Sequence, residues 1–154
     1  MCYQCNYAHL LESSGLGVTP NRLKVLEVIG NNNYPLKPRE VIDILSRTTD
    51  INRVTVYRIL DLLVQKKLVD RISGGGRSLY YGLAPNEYHQ PHPHFYCRKC
   101  GSMECLNPES LHLDLNPLKR TFPGLIDSIQ VRLDGICKNC LKNEKIKVNR
   151  KAVL

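Results

Sequence analysis

Apolar residues recur at three- and four-residue intervals through the first part of the chain, a spacing typical of amphipathic helices on a core. Thr19 and Pro20 have the residue types of an N-cap and a first-turn proline, and Asn52 can cap a later helix. Glycine and asparagine runs end these segments. The pattern predicts helices over about residues 7–14, 19–30, 37–45 and 52–67.

A β-hairpin is predicted after the fourth helix. Residues 68–72 and 78–83 have the composition of strands, and they flank a glycine-rich turn that carries Arg77. The fourth helix itself has one apolar stripe, formed by Val56, Leu60, Leu63 and Val64. Helices followed by a hairpin are the layout of a winged helix-turn-helix.

The composition changes at residues 84–93, which hold prolines and histidines and which we expect to form a hinge. Beyond the hinge, residues 94–97 predict a strand and residues 103–106 a return strand. A helix is predicted over 116–121, and partial alternation predicts a strand over 125–133. The lysine-rich tail after residue 138 is expected to be frayed or to form a short helix.

The predicted fold class is therefore α+β: a winged-helix domain over residues 1–83, the hinge, and a small α/β domain over residues 94–154. Two domains of this size have modest cores, and such domains often need a metal or a partner chain. The net charge of +8 favours a polyanionic partner, nucleic acid first. No apolar run is long enough to span a bilayer and no secretory signal is recognisable, so we expect a cytoplasmic protein without membrane contact.

The seven cysteines favour metal ligation over disulfides in a reducing compartment. Cys97 and Cys100 form one CxxC pair, and Cys137 and Cys140 form another. Each pair lets a tight turn aim two sulfurs at one ion, and two pairs complete the tetrahedron of a structural zinc site. A redox CxxC or two incidental pairs are the alternatives, although no thioredoxin-like pattern surrounds either pair.

The polar face of the fourth helix predicts contact with double-stranded DNA. Arg53, Thr55, Tyr57 and Arg58 combine charge, an aromatic ring and a methyl-bearing hydroxyl, which suit phosphates, base edges and thymine methyls. Arg77 at the hairpin tip can reach the backbone or the minor groove. The alternative is an ordinary solvated helix face.

Four motifs occur in one order along the chain, and together they resemble the ferric-uptake-regulator superfamily, with a leaning towards its zinc-uptake regulators. The resemblance covers the chain from about Leu16 to Cys140. The motifs are Thr19-Pro20-Asn21-Arg22, Val54-Thr55-Val56-Tyr57-Arg58, His92-Pro93-His94-Phe95-Tyr96-Cys97 and the paired CxxC.

The resemblance implies a homodimer, held by the second domain, that binds near-palindromic operators and most often represses transcription. It implies structural zinc on the four paired cysteines. It also implies a second, regulatory divalent metal at the hinge, which draws the two domains into DNA-binding geometry. By the same resemblance Tyr57 touches bases and Arg58 touches the DNA backbone.

The resemblance is incomplete at the regulatory site. His92 and His94 occupy the family's two hinge histidines, and Cys105 stands where a carboxylate is usual. Two further positions that often carry ligands hold Gly82 and Pro35 here. His89 is a candidate replacement, and so is a cysteine of the N-terminal pair Cys2 and Cys5.

Imidazole with thiolate favours zinc over iron or manganese at the second site. An iron- or peroxide-responsive regulator of the same family remains an alternative, as does a zinc-stabilised DNA-binding protein that does not sense metal. An enzyme is not expected, because no HExxH motif or base beside the histidines supports a zinc hydrolase.

Overall fold

The computed structural model describes residues 5–151 and consists of a helical first half and a small mixed second half. The helices are α1 (Tyr7–Ser13), α2 (Pro20–Gly30), α3 (Pro38–Leu45), α4 (Arg53–Gln65), α5 (Asn116–Thr121) and α6 (Lys138–Lys151). The strands are β1 (Val69–Ser73), β2 (Leu79–Leu83), β3 (His94–Cys97), β4 (Met103–Cys105) and β5 (Arg132–Gly135).

The predicted caps start the helices. The Thr19 hydroxyl accepts a hydrogen bond from the Arg22 backbone N–H at 3.3 Å, and the Asn52 side chain accepts one from Val54 at 2.7 Å. Helix α4 ends where Lys67 adopts a left-handed φ of 57°, and the following N–H bonds back to the Leu63 carbonyl. The chain therefore turns sharply from α4 into the hairpin.

The first half encloses one hydrophobic core. Helix α4 contributes its apolar face to this core, which confirms the stripe except that Val64 is only partly buried and Ile59 is buried in addition. The core is closed by strands β1 and β2. Its fully buried large side chains are Leu11, Leu26, Leu36, Leu45, Leu60, Leu63, Val25, Val41, Val56 and Val69.

Strands β1 and β2 pair antiparallel and, with the turn between them, form the wing. One side of the wing belongs to the first core. Ile72 and Tyr80 from the wing pack with Tyr96 and Met103 of the second half in a separate buried cluster. The wing therefore contacts both halves of the molecule.

The second half is built on a three-stranded sheet in the order β4-β3-β5, with β3 antiparallel to β4 and parallel to β5. The strand predicted over residues 125–133 is wrong over most of its length, because β5 is Arg132–Gly135. Residues 125–130 pair with no strand of the described chain, Val131 contributes only a carbonyl that accepts from the His94 N–H at 2.9 Å, and Leu125 is 87 % exposed. The alternation of apolar residues there marks a surface and not a sheet.

The hinge, residues 84–93, contains no helix or strand and only an isolated bridge between Asn86 and His89. The tail forms α6, so of the two expectations for it the helix is the correct one. The exact boundaries of the two domains stay a prediction. Among the described residues no helix has the length and apolar character that crossing a membrane requires.

Candidate metal centres and DNA interface

The four paired cysteines meet at one point. Strand β3 ends at Cys97, a turn brings Cys100 back, and the start of α6 supplies Cys140 beside Cys137. Their sulfurs lie within 4.8 Å of one another, with Cys97 to Cys140 at 3.9 Å and Cys100 to Cys137 at 3.8 Å. Gly101, at a φ of 72°, lets the first turn close after Cys100.

The surroundings of the four sulfurs shift the pKa values of Cys97 and Cys140 in opposite directions. Backbone N–H groups of Cys100 and Cys137 lower the pKa of Cys97 to about 6, with the Cys137 nitrogen 3.3 Å from the sulfur. Hydrogen bonding with the Cys137 thiol raises the pKa of Cys140 to about 12. A tetrahedral zinc ion binds four sulfurs at such distances as thiolates.

A second group of donors lies at the hinge. The register of β3 and β4 sets His94 directly opposite Cys105, and His92 lies two residues before His94. One nitrogen or sulfur of each lies within 4.8 Å of the others. The rings of His92 and His94 are 4.7 Å apart between centroids.

His92 carries the clearest sign of a ligand site. Its Nδ1 lies 3.0 Å from the Gln90 carbonyl, which fixes the proton on that nitrogen. Its Nε2 is buried and has no hydrogen-bond partner among the described residues. A buried lone pair without a donor is costly unless something binds it, and a metal ion meets that need.

Burial has opposite consequences for the readiness of His94 and Cys105 to bind a metal ion. Burial, with His92 and His89 nearby, lowers the pKa of His94 to about 4 and keeps the imidazole neutral. Burial raises the pKa of the Cys105 thiol, although part of its side chain is exposed to solvent at the edge of the cleft. The neutral imidazoles are ready to coordinate, whereas the thiol must lose its proton on binding.

His89 stands next to this group but outside it. Its ring is 5.1 Å from that of His92 between centroids, and burial lowers its pKa. It is not among the described donors that share the 4.8 Å cluster. The structure therefore places His89 beside the other three and leaves its role as a ligand a prediction.

A cleft of about 350 Å³ opens over the cluster, and the first half forms its other wall. Pro35 and Gly82 both line that wall, so the two positions that depart from the family pattern do face the hinge histidines. Neither has a donor side chain. The cage would therefore lack a ligand from the first half unless another residue supplies it.

Asp70 is a first-half carboxylate that the sequence reasoning passed over. It lies on β1, directly opposite Gly82, and lines a second cavity together with His92. Burial raises its pKa, and the charge of His92 acts against that rise. In the sequence Asp70 is only an acidic residue within a predicted strand. The strand register is what shows that it shares a face of the wing with Gly82.

Of the N-terminal cysteine pair, Cys2 lies outside the described residues. Cys5 packs against the first core, and its sulfur is 3.7 Å from the side chain of Asn86 in the hinge. Cys5 is disulfide-bonded, so the expectation of metal ligation over disulfides is wrong for this cysteine, and it is not part of the hinge cluster. The structure therefore does not bring Cys5 to the hinge donors as a ligand.

The candidate DNA interface is exposed. Arg53, Tyr57 and Arg58 are exposed on α4, while Thr55 is partly buried. The Arg53 guanidinium lies 5.8 Å from the centre of the Tyr57 ring, so the two side chains form one unit. Val54 was not among the predicted DNA contacts, yet 54 % of it is exposed at the start of the same helix. An exposed valine there is an apolar group available to a thymine methyl.

The wing is tied to this helix by one ion pair. Asp61 of α4 accepts a hydrogen bond from Arg71 of β1 at 2.8 Å. Arg77 is exposed in the wing turn. The ion pair is solvent-exposed and contributes little to stability, whereas the buried Val69 packs β1 into the same core as α4.

A winged helix joined to a domain with a four-cysteine centre and a hinge donor cluster indicates a metal-dependent DNA-binding regulator. The profile of the ferric uptake regulator family matches residues 13–116, well over half of the chain. The chain belongs to the ferric uptake regulator family. Its members are metal-responsive transcription regulators and not enzymes. This confirms the predicted regulator class and the expectation that the protein is not an enzyme.

Individual relatives extend the similarity across the chain. The ferric uptake regulation protein of Bacillus subtilis (strain 168) is 28% identical over 132 residues, covering 84% of this chain and 89% of that protein. The Helicobacter pylori ferric uptake regulator has a TM-score of 0.66 at 20% identity, covering 85% and 86% of the two chains. A zinc uptake regulator solved with zinc and DNA has a TM-score of 0.61 at 22% identity, covering 89% and 91%. These structures confirm the fold.

Proposed function

We propose that the protein is a dimeric, zinc-responsive repressor that binds near-palindromic operators. The Cys97, Cys100, Cys137 and Cys140 centre holds structural zinc, and His92, His94 and Cys105 hold a regulatory ion. The observation that carries the proposal is the buried Nε2 of His92, which has no partner among the described residues and points to a ligand. The proposed site of action is the cytoplasm, where the chromosome lies.

The donor set favours zinc at the hinge. Two imidazoles and a thiolate are ligands that zinc accepts at tetrahedral geometry, whereas ferrous iron and manganese prefer imidazole with carboxylates. Cys105 is the donor that makes this difference. Regulators of iron, manganese and zinc all occur among the structural neighbours, so the metal is assigned here on ligand chemistry alone.

Regulation requires a ligand from the first half. The three clustered donors all lie on the hinge or the second half, and an ion held by them alone binds the open and closed molecule equally well. A ligand that binds two states equally shifts no population between them. A donor from the DNA-binding half gives the ion a preference for the closed state.

We assign that donor to Asp70. It is partly buried, it acts electrostatically on His92, and no hydrogen bond or ion pair reaches its carboxylate among the described residues. In the described structure Asp70 lies outside the 4.8 Å donor cluster and lines the neighbouring cavity with His92, so closure of the two halves has to bring its carboxylate to the ion. One cation between the halves would then satisfy both the carboxylate and the histidine nitrogen. Zinc accepts an aspartate oxygen alongside nitrogen and sulfur.

DNA binding is assigned to α4 and the wing. We assign Thr55, Tyr57 and Val54 to base edges and thymine methyls, and Arg53, Arg58 and Arg77 to phosphates; all but the partly buried Thr55 are exposed. Two copies related by a two-fold axis would read two half-sites, which is why the operator is expected to be nearly palindromic. The net charge of +8 adds a sequence-independent attraction.

The partner in the dimer is a second copy of the chain, and the second half offers the surface for it. Several large apolar side chains of the second half are exposed, and a group of this kind marks an interaction surface where a single exposed side chain would not. Covering them in a dimer accounts for the alternation in residues 125–131. They are Leu113, Leu118, Phe122, Leu125, Ile129 and Leu133.

The test is zinc content per protomer, measured as purified and after mild chelation, together with operator binding. We expect about two zinc ions that fall to one, with operator binding lost on chelation and restored by zinc. His92→Ala/His94→Ala should hold one zinc and stay dimeric, and its operator binding should remain as weak as that of the chelated protein whether or not zinc is added. Restoration by ferrous iron or manganese instead of zinc would reassign the metal.

A second candidate function is a zinc-stabilised DNA-binding protein that does not sense metal. Pro35 and Gly82 favour it, because the first-half wall of the cleft has no donor at the usual positions. This function predicts one tightly held zinc per protomer and operator affinity that does not change on mild chelation. The same two measurements therefore separate the two functions.

A further inference from the structure

The wing is packed against the second half as well as the first. Ile72 and Tyr80 are buried against Tyr96 and Met103, and the Tyr80 and Tyr96 rings meet edge to face at 6.4 Å between centroids. The contact lies on the two wing strands and not on the tip. The second half therefore influences the direction in which the wing turn points.

Arg132 of β5 makes the most specific of these contacts. One of its nitrogens, Nη1, donates to the backbone carbonyls of Ser73 and Gly74, the latter at 3.2 Å, where β1 enters the wing turn. Asp134 holds the rest of the guanidinium through two bonds of 2.7 and 3.0 Å. The same group lies 5.6 Å from the centre of the Tyr96 ring. A planar guanidinium held on three sides positions the turn against the second half in this arrangement of the two halves.

Two further contacts secure the same turn. A Cβ on Gly75 would lie 2.7 Å from the Tyr96 ring, so the turn approaches the ring as closely as only glycine allows. The Tyr80 hydroxyl donates to the carbonyl of Gly101, in the turn that follows Cys97 and Cys100. The wing is therefore fastened both to the sheet and to the loop of the four-cysteine centre.

None of these contacts with the second half involves Arg77, the basic side chain of the wing turn. Arg77 is exposed, and the carbonyls that Arg132 contacts belong to Ser73 and Gly74, four and three residues before Arg77. The fastened wing is therefore compatible with a DNA contact through Arg77. A wing held in one orientation loses less conformational entropy when it binds than a free one does.

We infer that Arg132 is a positioning residue for DNA binding: it acts through the wing turn and sets where Arg77 meets the duplex without itself touching DNA. This inference rests on the proposed DNA interface. It gives the second half a role in operator binding that is separate from dimerisation and from metal binding. Nothing in the sequence pattern indicates that role, because Arg132 is a single arginine on a short strand.

The test is a double-mutant cycle on operator affinity with the zinc-loaded, full-length dimer. Arg77→Ala and Arg132→Ala should each weaken binding by about 10-fold, the size expected for a charged contact. Because both act through the wing, the double variant should be scarcely weaker than either single one. Arg120→Ala is the matched control, since Arg120 is an exposed arginine of the second half in α5 and should change affinity by less than about 2-fold.

A second variant reaches the same contact from the wing side. Gly75→Ala places a methyl group against Tyr96 and should push the wing turn away from the second half. Operator binding should weaken, and adding Arg77→Ala to this variant should weaken it little further. Gly17→Ala is its control, because the nearest atom to a Cβ there is a flexible arginine nitrogen at 3.5 Å. Zinc content and the dimer mass should match the wild type in both variants.

The outcomes separate the two proposals. If Arg77→Ala leaves affinity unchanged, the wing contact with DNA is wrong and the inference falls with it, while α4 remains testable on its own. If Arg77→Ala weakens binding but Arg132→Ala and Gly75→Ala do not, only the positioning role is overturned. Fully multiplicative losses in the cycle overturn it as well, because a general loss of stability gives that result.

Discussion

Asp70 and Gly82 face each other directly across the two strands of the wing. Side chains at such paired positions project from the same face of a hairpin, so the carboxylate of Asp70 occupies the side on which Gly82 has none. Gly82 also lines the cleft over His92, His94 and Cys105. The first wing strand therefore carries a carboxylate opposite Gly82, at which the resemblance implies a ligand.

The first prediction concerns Asp70→Asn. The variant keeps the size of the side chain but loses its charge, so the hinge ion should bind about 10- to 100-fold more weakly, as for loss of a supporting carboxylate. Metal binding should also no longer change the operator affinity of the variant, because the ion does not bridge the two halves. Cobalt titration with competition by a chelator measures the first effect, and operator binding with and without metal measures the second.

Moving the carboxylate provides the control for this prediction. Asp70→Asn/Gly82→Asp should recover much of the metal affinity, since a Cβ on Gly82 meets nothing nearer than 3.7 Å. Asp43→Asn, on the exposed side of α3, should behave as the wild type. Unaltered cobalt affinity in Asp70→Asn would remove Asp70 from the site and leave His92, His94 and Cys105 in place.

The second prediction separates the two metal centres. Cys97 is fully buried among the four clustered sulfurs, whereas Cys105 lies at the edge of the cleft. Cys97→Ser should lose the structural zinc and destabilise the second half, because binding of such an ion is coupled to folding. Cys105→Ser should keep that zinc and lose only the chelatable one. Elemental analysis and thermal unfolding report both effects, and equal zinc content in the two variants would contradict the division.

The third prediction is the pH dependence of the protein with its hinge metal removed. His94 has a pKa of about 4 when folded against 6.5 for an ordinary histidine, so the unfolded chain binds the proton more tightly. The free energy of unfolding should therefore be intact above pH 6.5 and fall as the pH drops towards 4, by at most about 1.4 kcal/mol per pH unit for one proton.

Urea unfolding between pH 7 and pH 4.5 measures this dependence. His94→Asn should flatten the decline, while His112→Asn, at an exposed position outside the cleft, should leave it unchanged. A decline of the same slope in His94→Asn would assign the pH dependence to other groups.

The sequence predicted the local elements well because local signals define them. Thr19, Pro20 and Asn52 mark helix starts through their own side chains, and the spacing of the two CxxC pairs already specifies a four-sulfur centre. The strand over residues 125–133 failed because alternation shows only which side chains share a face. It does not show whether that face meets a strand or another surface.

The roles that the sequence did not reveal depend on contacts between distant segments. Asp70 becomes a candidate ligand only through its register with Gly82, which is set by the length of the wing turn. Arg132 reaches Ser73 across 59 residues of chain. Neither pairing leaves a spacing that can be recognised along one sequence.

The last prediction tests α4 through the salt dependence of operator binding. Arg58 is exposed on the helix and is assigned to a phosphate, so Arg58→Ala should weaken binding to all sequences alike and reduce the slope of log affinity against log salt by about 1. Tyr57→Ala should instead lose about 1–3 kcal/mol at particular base pairs and keep the salt slope, since a base contact releases no counterion. Lys142→Ala, an exposed cation on α6, is the control for loss of one charge. A reduced slope in Lys142→Ala as large as that in Arg58→Ala would show that net charge, and not a phosphate contact on α4, determines the salt dependence.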